Sequence, residues 1–594
     1  MLRQHVEEKK NLGSILNVLA AEAAGAHVTW YGRKTAVATL DGRQVLLGGY
    51  VCDQSWVGSK IAADKWMTKE FLLRSGVATP AARRCSSVEE AVEFWRTAGR
   101  SVVIKPLGGM GGKGVSVNLR DEHEISAAFE RALRIDDGGV IVEEYIEGDR
   151  EYRVLATQER CVSVVQRLLP NVTGDGVSTI RELIEAKNTA RRRNPALINR
   201  YTPIDVITER FLAFKGLSLD SVLESGRQEV VRDVGGLSSG GEPVERLDEV
   251  EEAIRSTAVA ASAAVPGLTW SGSDILVEKG TGKPWVIEIN STPDILGSTY
   301  PLYGQPRDVA GETWRLRWAA APPVVTGAAD VPPRGTTGSE LAAVVGGAPD
   351  ARRWTRLSTV MQTVLRDMGY AVRRHSDDIV SVEDDDGSQA WFTRNFLGVR
   401  DKIAPRQLVG RSGTTRRLVG AADLPRVTGR LVYSTDQAAQ FMEEHHGACV
   451  IVPQLKEWAS SSSSVTVRGI DELEEGLASI PGPWLIQRAV ASSRRVTVIT
   501  TPRRVLWMCG APGTHDDLPP EMIGRIAEVA VGACRAVPEL RWVGVDINVR
   551  LDGRAQGEDP SVLVEGLTFN PRLRRDAITM VGSLNHVISK VIRS

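Results

Sequence analysis

The chain has 594 residues, of which 42% are hydrophobic and 25% charged, and its formal net charge at pH 7 is -1. This length exceeds what a single hydrophobic core organises and predicts about three to five domains of ordinary globular composition. The balanced charge excludes a general basic field for nucleic acid or anionic membranes, so any phosphate binding requires a local site.

Neither a secretory signal nor a membrane span is predicted. The charged start MLRQHVEEKK is followed by an apolar stretch that Asn17 and Glu22 interrupt, unlike the core of a signal peptide. No stretch approaches the ~18 uninterrupted apolar residues of a spanning helix. The six cysteines are scattered without CxxC spacing, which argues against a disulfide framework and a zinc site. We therefore expect a cytoplasmic protein with free thiols.

The first predicted elements form a small α/β segment. A helix with apolar residues at 15, 16, 18 and 19 precedes two strands, Thr35–Leu40 and Gln44–Gly48, which Asp41-Gly42 joins as a hairpin. Residues 60–75 are helical by period, and Lys65 and Lys69 lie four apart on what is usually a solvated face.

A glycine-rich hairpin is predicted at Ser101–Asn118, SVVIKPLGGMGGKGVSVN. Its loop can lay backbone N–H groups against phosphate oxygens, and Lys105 adds a positive charge from a rigid strand. The G-x-G-x-x-G spacing also fits a dinucleotide fingerprint, but a strand rather than a helix follows. A Walker loop is excluded because Gly114 follows Lys113. The alternative is a mobile hairpin tip without a binding role.

The next elements alternate between helices and short strands. A helix is predicted at Glu122–Leu133 and another at Thr179–Asn188, and the glycine-serine loop GGLSSGG precedes a long helix at Glu249–Ala264. Between the first two helices, residues 140–148 form a strand that runs into an acidic, aromatic hinge.

Three oxygen-bearing side chains then fall on two neighbouring strands. In an antiparallel pair, Asp274 and Glu288 can face each other, and Asn290, two residues further on, shares the face of Glu288. Carboxylate and amide oxygens suit a hard cation such as Mg²⁺ that bridges nucleotide phosphates. A solvent-facing strand edge would show the same residues. The positions between the three polar residues are apolar, however, which favours a metal site.

Together these motifs resemble the ATP-grasp superfamily over roughly residues 50–310. The resemblance is to the nucleotide-binding module of cyanophycin synthetase and of bifunctional glutathione synthetases. It rests on ordered motifs: Asp64-Lys65 with Thr68-Lys69, Lys105 with the glycine loop, Glu143–Ile146, Asn171–Leu183, Leu237–Gly241, the trio Asp274, Glu288 and Asn290, and Gln305–Val309.

The resemblance implies a carboxylate–amine ligase that uses ATP and Mg²⁺. By position, Lys65 and Lys105 would hold the α- and β-phosphates under a lid that includes Gly109, Gly111, Gly112 and Lys113. The hinge Glu143, Glu144, Tyr145 and Ile146 would receive adenine, and Glu151 the ribose. Asp274, Glu288 and Asn290 would hold two Mg²⁺. Arg167 and Arg232, with Ser238, Ser239, Gly240 and Gly241, resemble positions facing the acyl phosphate and the incoming amine.

One departure concerns the acceptor side of the site. Where the family usually shows a Pro-Gly pair, this chain has Pro293 followed by Asp294. That segment borders the acceptor site in relatives, so the substrates are left open. The expected partners are amino-acid or short-peptide substrates, without nucleic acid or membrane, and a homo-oligomer stays possible.

The C-terminal half repeats the order of the first half. Val452 stands where Lys105 stood, a serine loop replaces the glycines, and Asp546 and Glu565 correspond to Asp274 and Glu288. Lys402 is one candidate for the counterpart of Lys65. We predict a tandem α+β (α/β) ATP-grasp fold. It comprises a pre-ATP-grasp domain at 1–60, a catalytic domain at 61–320 with the lid hairpin 101–118, a linker at 321–345 and a degenerate copy at 346–594.

The predicted function is formation of an amide bond between amino-acid or short-peptide substrates, through an acyl phosphate, with release of ADP and phosphate. A dipeptide-forming or γ-glutamyl-type ligase is the most economical version. The alternatives are a nucleotide-binding regulatory protein without catalysis, a tandem ligase with two active sites, and an enzyme that phosphorylates or carboxylates a small molecule.

Overall fold

A computed structural model describes most of the chain. The described residues are 12–32, 34–48, 54–108, 113–136, 138–233, 236–237, 240–333, 354–384, 386–409, 412–453, 465–480, 482–490, 493–510, 518–550, 562–574 and 578–592.

The helices of these residues are α1 (Leu12–Ala23), α2 (Trp56–Ala63), α3 (Lys65–Arg74), α4 (Val88–Ala98), α5 (Glu122–Leu133), α6 (Ile180–Arg191), α7 (Val206–Phe214), α8 (Glu252–Ala264), α9 (Leu296–Thr299), α10 (Val309–Ala319), α11 (Leu357–Asp367), α12 (Ile403–Val409), α13 (Ser412–Ala421), α14 (Thr435–His445), α15 (Leu473–Ala478), α16 (Pro520–Arg535) and α17 (Leu584–Ile592). Of the helices described, none has the length and hydropathy to cross a membrane.

The strands are β1 (His27–Trp30), β2 (Ala36–Leu40), β3 (Arg43–Leu47), β4 (Ala82–Cys85), β5 (Val102–Pro106), β6 (Ser116–Leu119), β7 (Val140–Glu144), β8 (Gly148–Thr157), β9 (Cys161–Leu168), β10 (Asn171–Thr173), β11 (Gln228–Val230), β12 (Glu242–Glu245), β13 (Trp270–Glu278), β14 (Pro284–Asn290), β15 (Trp354–Arg356), β16 (Ala371–Arg374), β17 (Ile379–Glu383), β18 (Gln389–Thr393), β19 (Gly429–Val432), β20 (Cys449–Pro453), β21 (Val465–Val467), β22 (Trp484–Arg488), β23 (Ser493–Thr500), β24 (Val505–Gly510), β25 (Val543–Arg550), β26 (Val562–Thr568), β27 (Arg572–Arg574) and β28 (Ile578–Gly582).

The described residues form two units. The middle unit comprises those of 50–54 and 58–317, and the terminal unit those of 1–49, 55–57 and 318–594. Residues 12–48, predicted as part of a separate domain at 1–60, thus belong to the terminal unit, where the Glu539 carboxylate accepts a hydrogen bond of 2.8 Å from the Leu46 amide. The other predicted domain boundaries stay a prediction.

Two sheets build the middle unit. One has the order β4-β7-β5-β6 and the other β12-β9-β8-β13-β14. The predicted glycine hairpin is confirmed, since β5 pairs antiparallel with β6. In the five-stranded sheet, Tyr152, Val154 and Ile275 are buried on one face, because apolar residues alternate with polar ones along these strands. On that face Ser262 of α8 bonds Ser271 of β13 at 2.7 Å.

The terminal unit contains sheets of similar strand order. Its four-stranded sheet is β19-β22-β20-β21 and its five-stranded sheet is β26-β25-β23-β24-β28. The first sheet follows the middle unit's β4-β7-β5-β6 strand for strand in sequence order. In the second, β26-β25-β23-β24 correspond to β14-β13-β8-β9, but the edge strand beside β24 is β28, the last in sequence, where the middle unit has β12, the third. Two further three-stranded sheets, β1-β2-β3 and β16-β17-β18, follow helices α1 and α11.

Strand registers give position-by-position correspondences between the units. Lys105 lies opposite Ile141 in β7, and Val452 lies opposite Leu485, at the equivalent position of β22. The Thr68 hydroxyl donates to the Ile61 carbonyl, seven residues earlier, and the Thr415 hydroxyl donates to Leu408 in the same way.

These hydrogen bonds correct one expectation about the second half. They align α3 with α13, which places Ser412 rather than Lys402 at the position of Lys65. The Lys402 ammonium instead lies 3.0 Å from the Glu539 carboxylate. A second correction concerns β26, where Gly566 and not Glu565 lies directly opposite Asp546, so Gly566 stands at the position of Glu288.

Candidate nucleotide and metal site

One face of the five-stranded sheet in the middle unit collects the predicted site residues. Asp274 of β13 lies directly opposite Glu288 of β14, as predicted, and Gly272 lies opposite Asn290. On the other side Asp274 faces Arg153 of β8. Since side chains two residues apart share a face, the polar face carries Glu151, Arg153, Arg167, Asp274, Glu288 and Asn290.

Asp274 is held by two arginines. Both of its carboxylate oxygens accept from the Arg153 guanidinium, one of them over 2.8 Å, and Arg167 approaches to 3.6 Å. Arg167 also lies 3.9 Å from Glu151, the predicted ribose ligand, whose side chain is exposed. The predicted metal ligand and the predicted acyl-phosphate arginine are therefore neighbours.

The donor set of this face fits a hard cation. Glu288 is half-buried beside Asp274, and the Asn290 amide nitrogen donates to the Gly272 carbonyl over 3.4 Å, so its oxygen is the atom to offer a cation. No group of three or more His, Cys, Asp or Glu side chains arranged for a metal exists among the described residues. A metal here would rely on two carboxylates and one amide, with phosphate oxygens completing its ligands.

A buried ion triad lies on the four-stranded sheet. The Lys105 ammonium of β5 is 2.7 Å from one carboxylate oxygen of Glu143 in β7, and Lys69 of α3 lies 3.5 Å from the other. The exposed fractions of these side chains are 9%, 2% and 4%. Burial opposes the ionisation of Glu143, but the two lysines hold its pKa below the usual value.

Lys69 is buried, so the expectation that it lies on a solvated face is wrong. Its ammonium also donates to the Thr79 hydroxyl and to the Pro80 carbonyl, at 2.9 and 3.1 Å. Burial lowers the pKa of Lys69 to about 8, although Glu143 opposes this shift. Glu143, predicted in the adenine hinge, thus directs its side chain at two lysines.

The Lys65 ammonium interacts electrostatically with charged residues of both sheets. It is the first residue of α3, whose start is fixed by Asp64, because that carboxylate accepts from the amides of Trp66 and Met67. The Lys65 ammonium donates to the Leu107 carbonyl over 3.4 Å. Burial lowers the pKa of Lys65, Glu288 raises it and Lys105 lowers it, so Lys65 lies within electrostatic reach of both predicted phosphate and metal residues.

The glycine lid and the hinge are only partly described. Gly109, Gly111 and Gly112 lie outside the described residues, while Lys113 is exposed. In the hinge, Ile146 is buried and the amide of Tyr145 donates to the Ser101 carbonyl over 2.9 Å. Glu144 is half-buried, and its carboxylate lies 3.8 Å from Arg100.

The predicted acceptor loop is anchored by a buried arginine. Arg191 donates to the carbonyls of Arg200, Gly240 and Gly241 at 2.8, 3.0 and 3.1 Å. Gly240 has φ +95°, and a Cβ there would meet Thr202 at 2.5 Å, so the turn requires glycine. Ser238 and Ser239 lie outside the described residues.

Arg232 is the second predicted acyl-phosphate arginine. Its guanidinium donates to the Asp205 carboxylate at 2.6 Å and to the Thr208 hydroxyl at 3.0 Å. Its buried Nε has no hydrogen-bond partner. Asp294, the departure from the family pattern, pairs with Arg200 at 2.6 Å.

An open cavity of about 700 Å³ borders this polar face. Glu151 and Arg167 line it together with residues of the segment that carries β10 and β11, among them Asn171, Gln228 and Asp233. It has the size of a pocket for a metabolite or short peptide.

Comparison with known proteins places part of this site in a family. Residues 63–165 match the model of the phosphoribosylglycinamide synthetase, ATP-grasp (A) domain. These residues belong to an ATP-grasp domain. The matched range contains Lys65, Lys69, Lys105, Glu143 and Glu151. The predicted resemblance to the ATP-grasp superfamily is confirmed.

Curated relatives match the chain over about half of its length. Cyanophycin synthetase of Synechocystis sp. is 32% identical over 283 residues, which cover 45% of this chain and 31% of the relative. The glutathione biosynthesis bifunctional protein of Mannheimia succiniciproducens is 30% identical over 273 residues, 44% of this chain and 36% of the relative. The chain thus spans about a third of the length of these relatives.

Solved structures align with part of the chain. A bifunctional glutathione synthetase from Pasteurella multocida aligns with a TM-score of 0.43 at 22% identity, over 52% of this chain and 44% of that one.

Sequence reasoning missed three residues of the middle unit: Lys69 as a buried ion, Arg153 on the polar face, and Arg191, which anchors the loop. The alternation Glu151, Arg153 within a strand could have placed Arg153 beside Asp274. No local signal marks Arg191, because its three partners are backbone carbonyls at distant positions.

Proposed function

We propose that the chain is an ATP-dependent carboxylate–amine ligase that joins amino-acid or short-peptide substrates through an acyl phosphate. The observation that carries this proposal is the convergence of Asp274, Glu288 and Asn290 on one strand pair, with Lys65 in electrostatic reach of Glu288 and Lys105. The curated relatives are synthetases, which supports an enzyme of this class.

The chemistry needs positioning and charge neutralisation rather than a protein nucleophile. A substrate carboxylate oxygen attacks the γ-phosphorus of ATP, and the bond to ADP breaks. An amine nitrogen then attacks the acyl carbon and phosphate leaves with the bonding electrons, while the amine loses a proton. Exclusion of water protects the acyl phosphate.

The residues of the middle unit have distinct proposed roles. Lys65 and Lys105 hold phosphate oxygens of ATP, and Glu151 receives the ribose. Asp274, Glu288 and Asn290 would hold Mg²⁺, which supplies positive charge against the phosphates. Arg167 and Arg232 stabilise the acyl phosphate, and the loop that Arg191 anchors borders the amine.

The test is phosphate release from ATP and Mg²⁺ with pooled amino acids and dipeptides, followed by mass spectrometry for a new amide bond. Glu288→Gln should abolish amine-dependent phosphate release. The matched control is Glu278→Gln, at the end of β13, whose carboxylate bonds Thr281 at the surface. If the wild type releases no phosphate with any pool, the proposal is contradicted and a regulatory nucleotide-binding protein is favoured. ADP without a new amide would favour a kinase or carboxylase reaction.

We further propose that the terminal unit is a degenerate second ATP-grasp copy. The matching order of the four-stranded sheets, and of four strands in the five-stranded sheets, supports a duplication, and the lysines at the phosphate positions are replaced by Val452 and Ser412. Arg495 lies 2.6 Å from the Asp546 carboxylate and 3.6 Å from Glu565, so both acids already share one guanidinium. The rival is a tandem ligase with a second active site.

A further inference from the structure

A second cavity lies within the terminal unit, at the turn between β23 and β24. It encloses about 280 Å³, which is the size for a small metabolite rather than for a nucleotide. This turn begins at Thr501, six residues along β23 from Arg495, or about 20 Å at the rise of an extended strand. The cavity is therefore separate from the Asp546 and Glu565 cluster.

Cationic side chains dominate its lining. Arg503, Arg535, Arg541 and Lys590 all contribute, against a single carboxylate, Glu539. That carboxylate is already engaged, because its two oxygens accept from Lys402 and from the Leu46 amide. Arg535 donates to the carbonyls of Pro502 and Gly327, which fixes its guanidinium, and no acid of the described residues forms an ion pair with it.

The surrounding charges reinforce this positive field. Burial and the nearby Arg541 and Arg504 lower the pKa of Lys590, while Asp401 opposes the shift. Asp401 is buried, and burial raises its pKa to about 6 although Arg541 and Lys590 oppose the shift. Like charges that converge on one cavity repel each other, and an anion in that cavity would relieve the repulsion.

The corresponding place in the middle unit is neutralised instead. There the turn after β8 carries Arg160, whose guanidinium forms a two-pronged ion pair with the Glu312 carboxylate of α10. In the terminal unit the helix that follows the last sheet strand is α17, and it brings Lys590 rather than an acid to the cavity. Glu312 thus neutralises Arg160 in the middle unit. Among the described cavity residues of the terminal unit, no acid on α17 takes its place.

The rest of the lining is apolar. Pro322, Val324, Pro502 and Pro538 contribute, together with buried Val537 and Leu540. A bare inorganic anion would leave these surfaces without contacts, whereas an aliphatic group would cover them.

We propose that this cavity binds a small organic carboxylate, with its acidic group toward Arg541 and Lys590 and its aliphatic body against the prolines and valines. The site is distinct from the proposed ligase site, and its binding is measured without ATP.

Calorimetric titration of the full chain with hexanoate tests the proposal. We expect one hexanoate per chain, at least tenfold weaker binding of the neutral hexanamide, and weaker binding of inorganic phosphate, which lacks the aliphatic body. Equal binding of hexanamide would overturn the role of the cations. Phosphate binding as tight as hexanoate would overturn the role of the apolar lining, and absence of hexanoate binding would overturn the site.

Two variants test whether hexanoate binds in this cavity. Lys590→Gln should weaken hexanoate at least fivefold, and Val324→Trp should abolish binding by filling the apolar side without touching a charge. Arg373→Gln, an exposed arginine of β16, is the matched control and should bind as the wild type does. Unchanged thermal unfolding of each unliganded variant shows that it is folded. Wild-type affinity in both cavity variants would contradict the assignment.

Discussion

Glu143 determines how two buried lysines keep their charge. Three ionised groups with less than a tenth of their side chains exposed are stable only as a set, since each charge has lost most of its hydration. The three groups together also keep the Lys105 side chain extended from β5 toward the phosphates of ATP in the proposed function. Glu143 is in this view a positioning residue for Lys105.

Replacement of Glu143 by Gln should therefore affect both folding and nucleotide binding. The two lysines would lose their counter-charge, which we expect to lower the free energy of unfolding by about 3 kcal/mol. Affinity for ATP should fall at least tenfold because Lys105 loses its fixed position. Denaturant unfolding and calorimetric titration with a non-hydrolysable ATP analogue measure the two effects.

The neighbouring residue supplies the control. Glu144 is only half-buried, and its carboxylate lies 3.8 Å from Arg100 at the surface. Glu144→Gln should change the free energy of unfolding by less than about 1 kcal/mol, which makes it the control for stability. Equal effects of the two substitutions would show that the triad has no special role.

Asp401 predicts a pH dependence of stability. Its folded pKa is about 6, above the ordinary 3.8, so between pH 4 and 6 the folded chain binds more protons than the unfolded chain. Stability must then fall as pH rises through this window, by about 3 kcal/mol at this one group. Asp401→Asn, which cannot ionise, should lack the fall. Unfolding free energies of both proteins at pH 4, 5, 6 and 7 measure the difference, which should be constant above pH 7.

At the residue scale the sequence predicted pairs that lie on regular strands. Asp274 and Glu288 were placed opposite each other because apolar residues alternate around them and strand periodicity is local. Lys69 was misread because helical spacing shows which residues share a face but not what covers that face. Its cover is Glu143, 74 positions later and in another element.

Among the elements, the loop that precedes β12 depends on the end of α6. Arg191, the last residue of that helix, satisfies three backbone carbonyls, two of which belong to the loop. A buried carbonyl without a donor is unfavourable, so the helix end and the loop conformation are coupled. The loop borders the proposed amine site.

Arg191→Met should separate amine recognition from ATP recognition. We expect KM for the amine substrate to rise at least tenfold while KM for ATP changes less than twofold, since the residues proposed to hold ATP lie on other elements. Arg193→Met, an exposed arginine two residues later, should leave both constants unchanged. Steady-state phosphate release with each substrate varied in turn gives the comparison, and a parallel rise of both constants would refute the coupling.

The elements were predicted more readily than their arrangement. The hairpins at Asp41-Gly42 and at the glycine loop follow from turn residues between β-branched runs. The order β12-β9-β8-β13-β14 brings strands more than 100 residues apart into contact, and no local pattern encodes such pairings. Residues 12–48 show the same limit, because their helix and hairpin were predicted but their membership of the terminal unit was not.

For the whole molecule, the decisive question is how many nucleotides one chain binds. The two units share the strand order of their four-stranded sheets, yet equivalent positions on their polar sheet faces carry different residues. In the middle unit the residue opposite Leu276 of β13 is the acid Glu151, whereas in the terminal unit the residue opposite Asn548 of β25 is Arg495. The second face thus carries a cation where the middle unit carries the predicted ribose ligand.

Nucleotide stoichiometry should follow this difference. We expect the full chain to bind one equivalent of a non-hydrolysable ATP analogue with Mg²⁺, and Lys105→Met to abolish that binding because it removes the phosphate-facing charge of the middle unit. The pair Asp546→Asn with Glu565→Gln should leave the stoichiometry at one and amine-dependent phosphate release intact. Two equivalents in the wild type, or loss of a distinct activity in the paired variant, would instead establish a tandem ligase, because the terminal unit would then hold a triphosphate without the lysines that Val452 and Ser412 replace.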